Sequence, residues 1–290
     1  MQSHNGKVRK LAVNPVIKSL VASTSSDKIV RLWDFRDRSL LTCFVLPDAA
    51  TAAVFSIDGR GLALGNEKGE LAIYECDELN QLKRASKKCE IMEMRYSPLG
   101  NMLALGCRDH LVHLLSVHNG FKHIAVCRGH SAFVRSIDFS SDGAMVQTSD
   151  AGKEVMFWDA KGQRVLNAAH FRDVAWESAS SVYGYNAQGV FNNSDAVPAV
   201  DGDINCVDRS PDCQWLVSGG SNTVHHAIKL FNYPCLPDAI PSFHGGHTSP
   251  VLDVKVLDTA EGTTEVATAG GNDSCVFQWR LLEYGTPRRR

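Results

Sequence analysis

The sequence predicts an all-β protein in which seven small four-stranded sheets form a ring, a seven-bladed β-propeller. Three observations lead there. An aromatic or apolar residue followed by a polar one recurs at Trp33-Asp34, Tyr74-Glu75, Leu115-Ser116, Trp158-Asp159, Phe191-Asn192, Phe231-Asn232 and Trp279-Arg280. The steps between these endings are 41, 41, 43, 33, 40 and 48 residues. A period of that size with a Trp-Asp ending is the mark of WD40 repeats, each a four-stranded blade. Within each repeat, short stretches alternate apolar and polar residues, as half-buried strands do. The repeats use the whole chain with no long linker, so residues 1–290 read as one domain although the length alone would allow two.

The first repeat shows the pattern. Val8, Leu11 and Val13 lie in an inner strand, and Asn14-Pro15 makes a turn. Leu20 to Ala22 continue as a second strand, Asp27-Lys28 is a tight turn, and Ile29 to Trp33 alternates as a third strand. Leu40 to Leu46 is the outer strand. The third repeat runs through Met92–Tyr96, Met102–Leu105 and Leu111–Leu115, and the fourth through Val134–Phe139 and Val155–Trp158. Ser97-Pro98-Leu99-Gly100 and Ser141-Asp142-Gly143 fall where hairpins need unusual backbone angles.

Two places depart from the pattern. The fifth repeat has only 33 residues and no Trp-Asp ending. Asp173–Trp176, Ser181–Tyr185 and Val190-Phe191 suit three short strands, so it reads as a short, degenerate blade; the alternative is six blades plus an insertion. An exposed loop is expected from Asn192 to Gly202. After the last third strand only Leu281 to Arg290 remain, with Gly285 and Pro287 among them. That leaves the last blade short of its outer strand, or marks the chain as a segment of a longer protein. An unpaired edge invites another strand.

Three repeats carry residues for a buried polar relay: His4, Asp27 and Trp33; His130 and Trp158, with Asp150 eight residues before that Trp; and His247, Asp273 and Trp279. Carboxylate to imidazole, imidazole to a Ser or Thr hydroxyl, and hydroxyl to indole N–H would leave no buried polar atom unpaired. The histidines therefore read as structural.

A net charge of −2 lacks the basic excess of a nucleic-acid binder, and the only concentrated charge is Arg288-Arg289-Arg290. No apolar run approaches the ~20 residues that span a bilayer. Nine scattered cysteines, an odd number with no Cys-x-x-Cys, read as reduced thiols in a cytosolic chain. His110, His113, His118 and His123 crowd one stretch, but it reads as turn, strand and turn, so their side chains are expected to diverge and no metal is assigned. No phosphate-binding loop, nucleophile elbow or metalloprotease helix is present. The expectation is no catalytic residue, no cofactor and no enzyme.

Several longer strings narrow the assignment. Cys127-Arg128-Gly129-His130-Ser131-Ala132-Phe133-Val134 with Ile137-Asp138-Phe139 resembles the echinoderm microtubule-associated protein-like family. So do Arg172–Trp176, Asp203–Ser210, Ile228–Cys235 and Gly270–Trp279, in the family's order. The resemblance covers essentially the whole chain, most sharply after about residue 90, and points to the second propeller of a tandem pair. It implies association with tubulin or microtubules in the cytoplasm and cytoskeleton, and an upstream propeller as a further partner. The other reading is a general WD40 scaffold for protein or peptide partners unrelated to tubulin.

The turns between second and third strands, with the starts of inner strands, should share one face. There Lys28, Lys68, Arg108, Lys153, Arg172 and His226 would lie near one rim, with Phe133 closer to the channel. A basic rim would suit an acidic protein surface.

Overall fold

The computed structural model describes residues 3–76, 81–86, 89–166, 171–172, 174–191, 203–221, 226–258 and 263–281, and for 81–86 the backbone alone. Among the described residues, twenty-three strands form six antiparallel sheets, each built from strands consecutive in sequence. The first sheet holds β1 (Val8–Val13), β2 (Leu20–Ser25), β3 (Ile29–Asp34) and β4 (Ser39–Val45). The second holds β5 (Ala50–Phe55), β6 (Gly61–Asn66), β7 (Glu70–Glu75) and β8 (Gln81–Ser86), and the third β9 (Ile91–Tyr96), β10 (Met102–Cys107), β11 (Leu111–Ser116) and β12 (Lys122–Arg128). The fourth holds β13 (Val134–Phe139), β14 (Met145–Asp150), β15 (Val155–Asp159) and β16 (Arg164–Val165). The fifth holds β17 (Ile204–Arg209), β18 (Trp215–Gly220), β19 (Ile228–Asn232) and β20 (Ser242–His244). The last has three strands among the described residues, β21 (Val251–Asp258), β22 (Thr264–Gly270) and β23 (Val276–Arg280).

Burial explains the composition of each strand. The second strand of a sheet is covered on both faces by its neighbours, so β2, β6 and β10 are buried at every residue. Their sequences, LVASTS, GLALGN and MLALGC, are accordingly small or apolar throughout. The outer strand β4 alternates exposed and half-buried residues along its length. The core consists of the layers between sheets: Ala22, Val30 and Leu32 against Phe55, Leu62 and Leu64, for example, and Val112 and Leu114 against Ile137, Val146 and Trp158. Close approach requires glycine at matching places. A Cβ on Gly65, Gly106 or Gly219 would lie 2.7, 2.8 or 2.5 Å from Ile91, Val134 or Val251, the first residue of the next inner strand.

The inner strands lie side by side around a central channel, β1 beside β5, β5 beside β9, β9 beside β13, β17 beside β21, and β21 back against β1. The first and last sheets meet through Val8, Leu11, Val21 and Phe35 against Leu257, Ala267 and Ala269. Two hydrogen bonds pin this seam: Leu11 N donates to Asp253 Oδ2 at 2.8 Å, and Gln278 Nε2 to the Phe35 carbonyl at 2.8 Å. The sheets on either side share no strand among the described residues.

The expected seventh blade is not formed: among the described residues the ring has six sheets, and the fifth repeat supplies none. Asp173 and the Asn192–Gly202 stretch lie outside the described residues. Of the three strands expected there, Trp176 makes a single bridge to Ser140, residues 182–184 are turn and bend, and Tyr185–Phe191 is a 3₁₀ helix. The segment instead forms a wedge between the fourth and fifth sheets. Phe171 stacks on Phe157 with ring centroids 4.1 Å apart, and Trp176 completes that cluster. On the other side Val182, Ala187 and Val190 pack on Val207, Leu216 and Phe231. Asp138 takes part of its polar backbone: the carboxylate accepts bonds from the amides of Ser180 and Ser181 and the hydroxyls of Ser178 and Ser180. Serines at 178, 180 and 181 offer local side-chain bonds that compete with a ladder, and the repeat is too short for four strands.

The tight sheet-to-sheet contact at Gly106 can be tested. Gly106→Ala should destabilise by about 1–3 kcal/mol through overpacking against Val134. Gly245→Ala, where an added Cβ meets nothing within 4 Å, should stay within about 0.5 kcal/mol. Urea unfolding of both variants beside the parent measures the difference.

Candidate functional site

Six hydrogen bonds define one face of the ring. The turn after each second strand is tied to the residue preceding the inner strand: Ser26 N to Lys7 O at 2.9 Å, Arg108 N to Glu90 O at 3.0 Å, and Ala151 N to Phe133 O at 3.0 Å. Ser221 N bonds Asp203 O and Gly271 N bonds Pro250 O, both at 2.9 Å. In the second sheet Lys68 Nζ bonds the Asp48 carboxylate at 2.9 Å across the equivalent gap. These turns share a left-handed residue before the third strand, seen at Lys28 (φ 64°), Gly69 (φ 79°), His110 (φ 69°), Lys153 (φ 69°) and Ser274 (φ 56°).

Lys28, Lys68, Arg108 and Lys153 are exposed on these turns. Lys28 Nζ donates to the Pro47 carbonyl at 3.0 Å, and Arg108 pairs with Glu90 at 2.7 Å. Phe133 is half-buried beside the Lys153 turn. Arg172 is exposed, but it sits on the wedge next to buried Phe171 rather than on a second-to-third turn. His226 has φ 45° and is half-buried, with Nδ1 enclosed and without a hydrogen-bond partner among the described residues.

The relay residues meet in three sheets. His4 Nδ1 lies 3.0 Å from Asp27 Oδ2 and Nε2 lies 2.8 Å from Ser23 Oγ, which accepts the Trp33 indole N–H at 2.8 Å. His130 joins Asp150 at 3.1 Å and Thr148 Oγ1 at 2.7 Å, and Trp158 donates to Thr148 at 2.8 Å. His247 joins Asp273 at 2.8 Å and Thr268 Oγ1 at 2.7 Å, with Trp279 donating to Thr268 at 2.8 Å. Since the indole can only donate, the hydroxyl proton is left to point at Nε2, and Nδ1–H then faces the carboxylate. Sequence reasoning named no residue for the hydroxyl. Its signal is a Ser or Thr ten or eleven residues before the Trp.

Burial lowers the pKa of all three imidazoles below 6.5, against the opposing pull of their aspartates. Burial raises the Asp27 carboxyl, but the amides of Ile29 and Asn5 and the His4 ring outweigh it and hold it below its ordinary value. Asp150 is held down likewise by the Glu154 amide and His130 against the effect of burial. The neutral imidazole is thus the folded form. Glu154 lies close enough to His130 and Asp150 for the three to hold a metal, but both ring nitrogens of His130 are already engaged.

A channel of about 480 Å³ opens on the opposite face, at the turns after the inner strands. Lys10 bonds Glu93 at 2.5 Å and lies 3.6 Å from Asp253. Asp208 accepts from Val256 N at 2.8 Å, and burial raises its pKa against the pull of Lys255. Arg209 donates to the carbonyls of Trp176 and Glu177. These charges tie inner segments to one another, as Asp253 and Asp138 also do, which makes the channel wall a structural network. One expectation about the histidines fails: His113 and His123 do not diverge, because β11 and β12 pair and bring Nδ1 of one within 2.9 Å of Nε2 of the other.

Two measurements test the relay. Asp273→Asn should cost about 1–3 kcal/mol in urea unfolding, since the imidazole loses a charged acceptor. The second is pH dependence. A histidine with a lowered folded pKa takes up a proton more readily when unfolded, so its stability is complete above 6.5 and is lost as pH falls below that value. Circular-dichroism melts should show a falling melting temperature; a flat profile from about pH 7 to about pH 5.5 would contradict the neutral relay.

Comparison with known proteins adds the family. Residues 8–281 match the family described as the echinoderm microtubule-associated protein second beta-propeller. Echinoderm microtubule-associated protein-like 2 of Rattus norvegicus is 31% identical over 97% of this chain and 42% of its own length. The 77 kDa echinoderm microtubule-associated protein of Strongylocentrotus purpuratus is 29% identical over 97% of this chain and 40% of its length. The chain therefore spans about two fifths of these relatives. Among solved structures, a chain of the crystal structure of a mitotic checkpoint complex superposes with a TM-score of 0.76 at 17% identity, covering 97% of this chain and 91% of that one, a likeness of fold alone. With the match running from the first inner strand to the end of the last sheet, the chain belongs to the echinoderm microtubule-associated protein-like family.

Proposed function

We propose that this propeller is a non-enzymatic interaction module that associates with tubulin or microtubules in the cytoplasm and cytoskeleton. The observation that carries the reading is the family match across residues 8–281, since the relatives are named as microtubule-associated proteins. The geometry supports it. Lys28, Lys68, Arg108 and Lys153 are exposed on equivalent turns of one face, where a basic rim would steer an acidic partner. In this reading Phe133, half-buried beside the Lys153 turn, Arg172 and His226 belong to the same candidate surface.

An upstream propeller of a longer protein is the second partner in this reading. Among the described residues β23 has a ladder partner on one side only, β22. A cavity of about 560 Å³ lies beside it, between Val276–Gln278 and the Phe35–Leu40 turn of the first sheet. An added strand or a packed domain would satisfy that edge.

Co-sedimentation with polymerised tubulin tests the proposal. The chain should pellet with microtubules, and combined Lys28→Glu, Lys68→Glu and Arg108→Glu should weaken binding about tenfold, from roughly 0.5 kcal/mol for each exposed charge. Undiminished pelleting would remove the basic rim. Failure of the parent chain to pellet at any salt concentration would favour a scaffold for other protein partners.

A further inference from the structure

The crowded histidines of the third sheet lie beside a buried thiol and a turn carboxylate. Cys107 ends β10, Asp109 is in the turn that follows, His113 is in β11 and His123 in β12. Ladder register places them together. Leu105 pairs with His113, so Cys107, two residues on, shares that face of the sheet diagonally across. His123 pairs with Leu115, two residues from His113, and so faces the same way. The face is the one packed on the second sheet, where Leu103, Leu105, Cys107 and Leu115 join a buried cluster with Leu71, Ile73 and Ile91.

Three donor atoms converge, with His123 bonded behind one of them. One donor atom each from Cys107, Asp109 and His113 lies within 4.8 Å of the others, and His123 Nε2 is 2.9 Å from His113 Nδ1. A tetrahedral zinc ion holds its ligand atoms about 3.3–3.8 Å apart, so small side-chain shifts close the site. Burial grades from the enclosed Cys107 through half-buried His113 to exposed Asp109 and His123. The ion would therefore enter from the rim and be held against apolar walls.

We propose that Cys107, Asp109 and His113, with His123 orienting the His113 ring through their hydrogen bond, form a zinc-binding site that staples β10 to β11 at the rim between the second and third sheets. The donor chemistry selects the ion: one thiolate, imidazole and one carboxylate suit Zn²⁺ better than Mg²⁺ or Ca²⁺, which want oxygen alone. Binding converts the Cys107 thiol to a thiolate, and its proton leaves to solvent. The metal–sulfur bond replaces the S–H bond with no change of oxidation state. Cys89 lies beside the same turn, with its thiol pKa raised by burial and by the Asp109 carboxylate, and is the nearby thiol to keep as a control.

The test titrates the chelator-treated chain with ZnCl₂ by calorimetry, then with Co²⁺ by absorption. One zinc per chain is expected, with a rise in melting temperature and a thiolate-to-cobalt charge-transfer band. Cys107→Ser should lose the band; His113→Gln and His123→Gln should each weaken zinc binding by about 10-fold to 100-fold. Cys89→Ser and Glu154→Gln should keep the one-to-one stoichiometry. Metal-free melts establish that each variant is folded, and half-buried His113 serves where Cys107→Ser fails to fold. The proposal is overturned by no stoichiometric zinc in the parent, by a band that survives Cys107→Ser, or by unchanged affinity in either histidine variant.

Discussion

A sheet of strands at most eight residues long cannot bury its own two faces. β2, β6 and β10 are buried at every residue only because another sheet lies on each side. Every sheet therefore depends on two neighbours, and the only arrangement that leaves none uncovered is a closed ring. The glycines facing Ile91, Val134 and Val251 set how closely successive sheets approach. The inner-strand aspartates set where they meet, each taking an amide of the following segment: Asp253 from Leu11, Asp208 from Val256, Asp138 from Ser181.

The relay acts within a sheet rather than between sheets. It fastens the loop entering the inner strand to the second and third strands, through His4 in the first sheet, His130 in the fourth and His247 in the last. Each is a buried polar network with all members partnered, which favours one arrangement of the loop over others. In the first and fourth sheets the relay aspartates sit in or next to the turns that carry Lys28 and Lys153, so internal hydrogen bonds order those turns.

The period near 41 residues made the sheets legible because each outer end repeats one packing problem, an aromatic or apolar residue under the rim. Strand order and most boundaries followed from alternation; β4 spans Ser39–Val45 where Leu40–Leu46 was expected. The fifth repeat misled because Val174, Trp176, Val182 and Val190 are apolar enough for strands. What decided against strands was long-range: a carboxylate 40 residues earlier, Asp138, offered Ser178 and its neighbours a better set of bonds. The pairing of His113 with His123 was hidden for a related reason. A register shift between Leu114 and Leu115 carries His123 onto the face of His113, and local spacing does not reveal such a shift. Of the candidate rim, the four exposed cations followed from turn position, whereas the half-burial of His226 and the place of Arg172 on the wedge depended on tertiary packing.

A wheel of like spokes has no preferred starting point, and a ligand gripping its edge could seat at any of several rotations with similar energy. The 174–191 wedge removes that degeneracy. It places a stacked aromatic pair, Tyr183 and Phe191 with centroids 5.3 Å apart, at a single azimuth where the backbone is coiled rather than pleated. The disc thereby acquires a compass mark, a feature that sets one position on its edge apart from the pleated sheets.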